Sequence, residues 1–171
     1  LTMVWLAQWI RENVNDARVV IIMDRDELDK QIENGFKDAG EKIHRAKSGG
    51  QLIKMLNTAD PWLICTLIHK FGNKNEGESI AVGGKKAIKS LELYLEELAK
   101  SLPAGFSVKG NIYVFIDECH RTQGGVLHEA MKHIMGNDIM LIGFTGTPLL
   151  HTDKKKSIET FGSYIHTYKF N

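Results

Sequence analysis

The chain lacks most of the features that would mark a secreted, membrane or strongly charged protein. Its 171 residues include only two cysteines, each inside or beside an apolar run, so they do not resemble a disulfide framework and a reducing cytoplasm is expected. No run of about 18 apolar residues appears, so no segment is expected to span a membrane. The formal net charge is only +1, so any contact with nucleic acid must come from local patches.

A phosphate-binding loop is also absent from the sequence. Nucleotide hydrolases of the P-loop type need the pattern G-x-x-x-x-G-K-[ST] at the start of a helix. Gly72 and Gly77 have the first spacing, but Glu78 stands where the lysine should be. The run GGKK at 83–86 ends in lysine rather than serine or threonine, and no predicted strand precedes it.

Cysteine and histidine occur in two close pairs that invite a zinc interpretation. Cys65 is followed by His69, and Cys119 by His120. No CxxC pair exists, however, and both cysteines adjoin predicted strands, so this interpretation is disfavoured.

Short apolar runs alternate with helical patterns along the chain, and the connections are too long for hairpins. This pattern predicts an α/β fold in which a mostly parallel sheet of five or more strands is covered on both faces. Helix 1–14 is apolar almost all round and is expected to be buried, with Trp5, Trp9 and Trp62 in the core. Strands are predicted over Val19–Met23, Trp62–Leu67, Ile112–Ile116 and Ile139–Thr145, with a further candidate at Tyr164–Phe170, and further helices over 27–39, 51–59, 85–100 and 127–135.

Residues 111–124, NIYVFIDECHRTQG, place two carboxylates directly after a buried strand. Carboxylates at the carboxyl end of such a strand lie where open α/β sheets bind ligands. In nucleotide hydrolases an Asp in this place holds Mg²⁺, and a following Glu can orient or deprotonate the attacking water. On the dipeptide alone, an ordinary turn at the end of a strand is the favoured interpretation of Asp117 and Glu118, and the buried strand before them and the motifs elsewhere in the chain change that balance.

Three motifs in order resemble superfamily 2 helicases and translocases. Asp117–His120 (DECH) resembles the DExH box, Phe144–Pro148 (FTGTP) resembles motif III, and Val19–Gln31 resembles motif Ia. The spelling DR-x-x-L-x-x-Q, together with Phe161–Tyr164 and Tyr168, is most similar to the motor (R) subunit of type I restriction enzymes. The resemblance covers nearly the whole chain.

This resemblance implies a three-layer, P-loop NTPase (RecA-like) fold for residues 1–171, forming the first lobe of a two-lobed motor. In the family, the helix after the phosphate-binding loop begins as Leu1-Thr2-Met3 does, so we expect the chain to start just after that loop. Residues 72–110, with an unrecognised loop and an amphipathic helix, match nothing in the family pattern.

The implied function is ATP-dependent translocation on double-stranded DNA within a type I restriction endonuclease, followed by cleavage in a separate nuclease domain. The cofactors would be ATP and Mg²⁺. The partners would be double-stranded DNA and the methyltransferase and specificity subunits of a cytoplasmic restriction-modification complex. Because the phosphate-binding loop and the second lobe are missing, the 171-residue piece alone is expected not to hydrolyse ATP appreciably.

The resemblance also assigns roles to individual residues. Asp117 would bind Mg²⁺, Glu118 would be the catalytic base and His120 would couple hydrolysis to movement. Motif III would contribute Thr145, Gly146 and Thr147, and the DNA track would contain Asp24, Arg25 and Thr66. Two alternatives remain open: another superfamily 2 helicase acting on DNA or RNA, and a non-catalytic nucleic-acid-binding module with a relic ATPase box.

Overall fold

The chain forms one parallel sheet with helices packed against both faces. The computed structural model describes residues 2–23, 26–67, 102–117, 131–136, 138–146, 162 and 165–167. Its elements are α1 (Thr2–Asn13), β1 (Ala17–Met23), α2 (Asp26–Asp38), β2 (His44–Ala46), α3 (Gly49–Leu56), β3 (Leu63–Leu67), β4 (Asn111–Ile116) and β5 (Met140–Gly143). Residues 131–135 are also helical.

The five strands lie in the order β2-β3-β1-β4-β5, and all four neighbouring pairs are parallel. The central strand β1 is buried along its whole length, because strands flank it on both sides and helices cover both faces. Its Val20 lies opposite Ile64 of β3 and Val114 of β4. The predicted α/β fold with a parallel sheet is therefore confirmed.

Alternate side chains of β1 supply two separate cores, one on each face of the sheet. Val20 and Ile22 belong to the first core, which α3 and helix 131–135 cover. Val19 and Ile21 belong to the second core, which α1 and α2 cover, the latter with the fully buried Phe36. Helices on both faces of one sheet give the three-layer arrangement that the sequence predicted.

The three crossover connections whose helices lie in the described ranges share one hand. From β1 to β2 the chain moves toward one edge of the sheet and passes through α2 on the second-core face. From β2 to β3, and again from β4 to β5, it moves in the opposite direction through helices on the first-core face. When the chain moves across the sheet in the opposite direction, the connecting helix lies on the opposite face. Parallel crossovers of a single handedness require this.

A buried arginine joins the chain segments below the amino-terminal end of the sheet. Arg18 of β1 is only 2% exposed, and its guanidinium donates to five backbone carbonyls. Three acceptors belong to the end of α3 and the residues after it, at 2.8 Å for Met55, 3.2 Å for Leu56 and 2.7 Å for Thr58. The others are Pro61, which accepts from both Nε and Nη2, and Lys109. The positive charge thus lies where the α3 dipole is negative.

Gly110 lets the chain pass close to this arginine. Its φ is +81°, and a Cβ added there would lie 2.5 Å from the Asp16 carbonyl oxygen and 2.9 Å from Cδ of Arg18. The next residue, Asn111, donates its backbone N–H to that same oxygen at 2.8 Å. Only glycine satisfies both the backbone conformation and this close approach.

Several details differ from the sequence-based expectations. Trp5 and Trp9 are 62% and 59% exposed, so their assignment to the core was wrong, whereas Trp62 is half-buried against the second core. Helix α1 is buried only on the side that faces the sheet. The three-residue strand β2 was not predicted, because the isolated triplet HRA has no apolar periodicity.

Other expectations fall wholly or largely outside the described residues. These are the amphipathic helix at 85–100, the first part of the helix at 127–135, and most of the candidate strand Tyr164–Phe170, of which residues 165–167 are not a strand. Within the described ranges, no helix is long and apolar enough to cross a membrane.

Candidate active site at the carboxyl edge of the sheet

The carboxyl ends of β1, β3, β4 and β5 meet at one edge because the sheet is parallel throughout. The predicted functional residues fall at or directly after these strand ends. Such an edge is where open α/β sheets bind ligands, since the loops there are free to vary while the strands stay fixed. The order of the strands therefore determines which of the predicted residues can lie close together at this edge.

Asp117 stands at the end of β4 and is locked to the neighbouring strand by its backbone. Its N–H donates to the Ile22 carbonyl of β1 at 3.0 Å, which continues the parallel ladder by one residue beyond Ile116. The side chain is half-buried in the first turn after the strand. The last three residues of β4 are buried, so the backbone of Asp117 is held at a fixed place beside β1.

The start of motif III lies directly beside this carboxylate. Ile116 pairs with Gly143 of β5, and the next N–H of that strand, from Phe144, donates to the Ile116 carbonyl at 2.8 Å. The end of β4 therefore donates a hydrogen bond to β1 on one side and accepts one from the end of β5 on the other. Asp117 lies between the ends of β1 and β5.

An aromatic pair anchors the motif III segment. The ring of Phe144 lies 5.2 Å from that of Phe115, centroid to centroid, at an interplanar angle of 58°. Tilted aromatic pairs at this separation are favourable beyond the area they bury. Because Phe115 is fully buried, this contact fixes where Thr145 and Gly146 leave the sheet.

Thr145 is half-buried and Gly146 is exposed at the site edge. A Cβ added at Gly146 would meet no atom within 4 Å, so packing within the described part of the chain does not demand a glycine there. A glycine with open space above it permits close approach of another backbone or a ligand.

Thr66 lies in β3 and is 2% exposed. Its hydroxyl is 3.4 Å from the Ala46 carbonyl oxygen of β2, to which it donates. The DNA contact expected of Thr66 stays a prediction, and the side chain would have to become exposed to make it. The other expected site residues, Asp24, Arg25, Glu118, His120 and Thr147, lie outside the described residues.

Of the residues suggested for zinc, only Cys65 lies in the described part of the chain, where it is buried in β3. His69, Cys119 and His120 lie outside the described ranges. Among the described residues there is no group of three or more His, Cys, Asp or Glu side chains that could hold a metal ion.

Sequence reasoning missed the part played by Phe144. The residue was noted as the first letter of FTGTP, but its contact with Phe115 joins positions 29 residues apart and has no local signal. Hydrophobic residues at neighbouring strand ends are the one indication, since parallel strands place them within reach of each other.

Comparison with known proteins identifies relatives along the whole chain. The profile of the SWI2/SNF2 ATPase family matches residues 1–171. An endonuclease subunit of a type I restriction enzyme from Staphylococcus aureus strain COL is 31% identical over 98% of this chain. A subunit with the same description from Staphylococcus saprophyticus is 27% identical over 98%.

An archaeal relative gives the same result. A putative type I restriction enzyme endonuclease subunit from Methanocaldococcus jannaschii is 27% identical over 92% of this chain. The chain spans only 16% of the length of the staphylococcal proteins and 13% of the archaeal one. The resemblance to type I restriction subunits that the motifs indicated is thus confirmed over nearly all of the present sequence.

Proposed function

Because the chain belongs to the SWI2/SNF2 ATPase family, we propose that it is the first motor lobe of a type I restriction enzyme subunit. In this proposal, ATP hydrolysis drives movement along double-stranded DNA, and a separate nuclease domain then cuts it. The observation that carries the proposal is the position of Asp117 between the ends of β1 and β5, next to the segment that begins motif III. The relatives bear the names of endonuclease subunits of such enzymes.

The donor set at this edge fits Mg²⁺ bound together with a nucleotide. Magnesium is usually held by one or two carboxylates and completed by phosphate and water oxygens, and Asp117 offers such a carboxylate at a fixed strand end. When bound, the ion neutralises charge on the β- and γ-phosphates of ATP. The part of Asp117 is to position that ion relative to the sheet.

Glu118 is the proposed catalytic base. It follows Asp117 directly in sequence, so a carboxylate for the metal and a carboxylate for the attacking water are supplied by one turn. General-base catalysis of this kind contributes about 10²- to 10⁴-fold to a rate. His120 and the motif III residues Thr145 and Thr147 would couple ATP hydrolysis to movement of the motor.

The topology favours a phosphate-binding loop beside this edge. Helix α1 packs on the second-core face and leads into β1. If a parallel strand precedes α1, the shared hand of the crossovers puts that strand on the β4–β5 side of β1, beyond β5. A loop at its carboxyl end would then lie close to Gly146, where an added Cβ would meet no atom of the described residues within 4 Å.

The DNA track is proposed to begin at the end of β1, at Asp24 and Arg25, with Thr66 at the end of β3. This placement is adjacent to the nucleotide site, since the Asp117 N–H is bonded to the Ile22 carbonyl of β1. This backbone hydrogen bond joins the strand that leads to Asp24 and Arg25 to the strand that ends at the proposed metal ligand. The partners in this proposal are the methyltransferase and specificity subunits, in the cytoplasm.

The proposal is tested by triplex displacement, in which a translocating enzyme strips a third strand from a distant site on duplex DNA. The complete polypeptide, assembled with its methyltransferase and specificity subunits, is expected to displace the strand with ATP and Mg²⁺. Glu118→Gln should abolish displacement, while Glu33→Gln, at an exposed position of α2, should not.

Other results would identify the alternatives. Duplex unwinding without long-range displacement would favour a different superfamily 2 helicase. DNA binding without any ATP hydrolysis would favour the relic module and contradict the proposal. For the 171-residue chain by itself we propose no appreciable ATP hydrolysis; DNA-stimulated turnover that Glu118→Gln abolishes would overturn that part.

A further inference from the structure

The outer face of α1 carries two large exposed aromatic side chains. Trp5 and Trp9 are four residues apart and therefore neighbours on one side of the helix, at 62% and 59% exposure. The opposite side of α1, with Met3, Val4, Ala7 and Ile10, is buried against the sheet. The two indoles thus point directly away from the core.

Helix α1 is already fixed by contacts with its own domain. Arg11 forms an ion pair with Glu41 at 2.7 Å, and its guanidinium lies 4.5 Å from the centroid of the Trp62 ring. Gln8 donates to the Ala39 carbonyl at 3.4 Å. These contacts tie the carboxyl-terminal half of α1 to the segment after α2 and leave the Trp5–Trp9 face uninvolved.

The charge around this face does not fit nucleic acid. Sites that stack bases on aromatic rings also need cations along the phosphate backbone. Residues 2–10 of α1 contain no charged side chain, the nearest arginine, Arg11, is paired with Glu41, and the exposed Glu12 at the edge of the face would repel phosphate. An aromatic face without a free cation on α1 matches the apolar centre of a protein–protein contact instead.

The area of the Trp5–Trp9 face distinguishes between a separate protein and another part of the same polypeptide as its partner. Each tryptophan can bury roughly 150–250 Å², so the pair supplies far less than the roughly 800 Å² per partner of a stable interface between separate proteins. A surface on the same polypeptide needs less area, because its effective concentration replaces affinity. The relatives are about six times longer than this chain, which covers 16% of their length.

We propose that the Trp5–Trp9 face is the docking surface for another domain of the same polypeptide, which presents an apolar, uncharged patch to it. The occupant lies outside the present 171 residues. Residues 102–108 return to β4 on the opposite, first-core face of the sheet, so the described end of the connection that enters β4 does not lie beside α1. This inference rests on the proposed assignment of the chain to a longer motor subunit.

The test is hydroxyl-radical labelling of tryptophans in the complete polypeptide, read by mass spectrometry. The rate in the native protein is divided by the rate in denaturant for each residue. Docking predicts that Trp5 and Trp9 are labelled at least about tenfold more slowly in the native state, because a covered aromatic excludes water. Native labelling within about threefold of the denatured rate, as roughly 60% exposure implies, would contradict docking.

A photo-crosslinker then identifies the occupant. With Trp9→p-benzoylphenylalanine, crosslinks to peptides outside residues 1–171 of the same molecule support the proposal. Crosslinks within 1–171, between two copies, or to DNA each overturn it, as does the absence of any crosslink. The control is Lys54→p-benzoylphenylalanine, on the exposed side of α3, which should not give the same crosslinked peptide.

Failure of this inference is separable from failure of the proposed function. ATP hydrolysis and triplex displacement are measured on the same samples. Protected tryptophans in a protein without ATPase activity would leave docking intact and remove the motor assignment. Exposed tryptophans in an active translocase would contradict docking and leave the motor assignment intact.

Discussion

The two ends of the same five strands differ in how their polar groups are satisfied. At the amino-terminal end, one charged side chain, Arg18, meets five carbonyls of its own chain. At the carboxyl-terminal end, Asp117, Thr145 and Gly146 come at the points where strands end and loops begin. The first arrangement is a closed set of hydrogen bonds within the chain, and the second is the edge that we propose as the ATP site.

The difference follows from the cost of burying polar groups. A guanidinium taken out of water is tolerated only where acceptors surround it, and Arg18 has them because α3, residues 58–61 and residue 109 converge there. Burial lowers the pKa of the Arg18 guanidinium from its ordinary value, while the charge of nearby Asp60 opposes that shift. The group stays charged at every usable pH. The amino-terminal end of the sheet thus supports stability, while the carboxyl-terminal end carries the residues that we propose for chemistry.

The largest effect on activity is expected at the carboxyl-terminal end of the strands. In the complete enzyme, Asp117→Asn should lower DNA-stimulated ATP hydrolysis by at least about 100-fold, because the amide cannot balance the charge of a bound cation. The half-maximal Mg²⁺ concentration should rise as well. Thermal unfolding should change little. A variant with normal activity and an unchanged Mg²⁺ requirement would remove Asp117 from the site.

The closed end should respond in stability instead. Arg18→Met is expected to cost at least about 3 kcal/mol in the free energy of unfolding, since each buried acceptor left without a donor costs about 1–3 kcal/mol. Chemical denaturation measures this. Because Arg18 stays protonated, the difference between wild type and variant should be constant from about pH 5 to pH 9. A loss below about 1 kcal/mol would mean that water replaces the guanidinium without penalty.

Two glycines with the same backbone conformation isolate the close approach beside Arg18. Gly110 and Gly105 have φ values of +81° and +78°, but only Gly110 has a neighbouring oxygen within reach of a new Cβ. We expect Gly105→Ala to cost about 1 kcal/mol and Gly110→Ala about 2 kcal/mol or more, with the difference due to the contact with Asp16. Equal costs for the two variants, measured by urea unfolding, would show that the backbone moves aside.

The smallest effect is expected for an exposed arginine near the closed end. Arg11→Met removes the ion pair with Glu41 and the stacking over Trp62, and should cost about 1 kcal/mol or less. Raising the salt concentration should reduce the ion-pair part of that cost but leave the loss from Arg18→Met largely intact. A larger cost for Arg11 than for Arg18 would break the distinction between the two arginines.

Much of the fold was predictable because its signals are local. The apolar runs that became β1, β3 and β4 sit at nearly the predicted bounds, and the lack of alternation in them correctly indicated strands buried on both faces. The position of Asp117 at the carboxyl edge follows from the end of one such run. These features need only a few adjacent residues to be recognised.

The features that escaped prediction depend on partners distant in sequence. Strand β2 has three residues and exists through its pairing with β3. The acceptors of Arg18 lie 37 to 91 positions away, so the residues next to Arg18 in the sequence do not predict them. Trp5 and Trp9 were assigned to the core because apolarity alone does not say which side of a helix the sheet covers.

The most direct measurement is DNA-stimulated ATP hydrolysis per folded molecule for the complete enzyme carrying either Glu118→Gln or Arg18→Met. Folded fractions are taken from circular dichroism on the same samples. We expect Glu118→Gln to lose at least about 100-fold in turnover while it stays fully folded, because the proposed general base is removed. We expect Arg18→Met to retain wild-type turnover per folded molecule. Normal hydrolysis by Glu118→Gln would contradict the assignment of this edge as the ATP site.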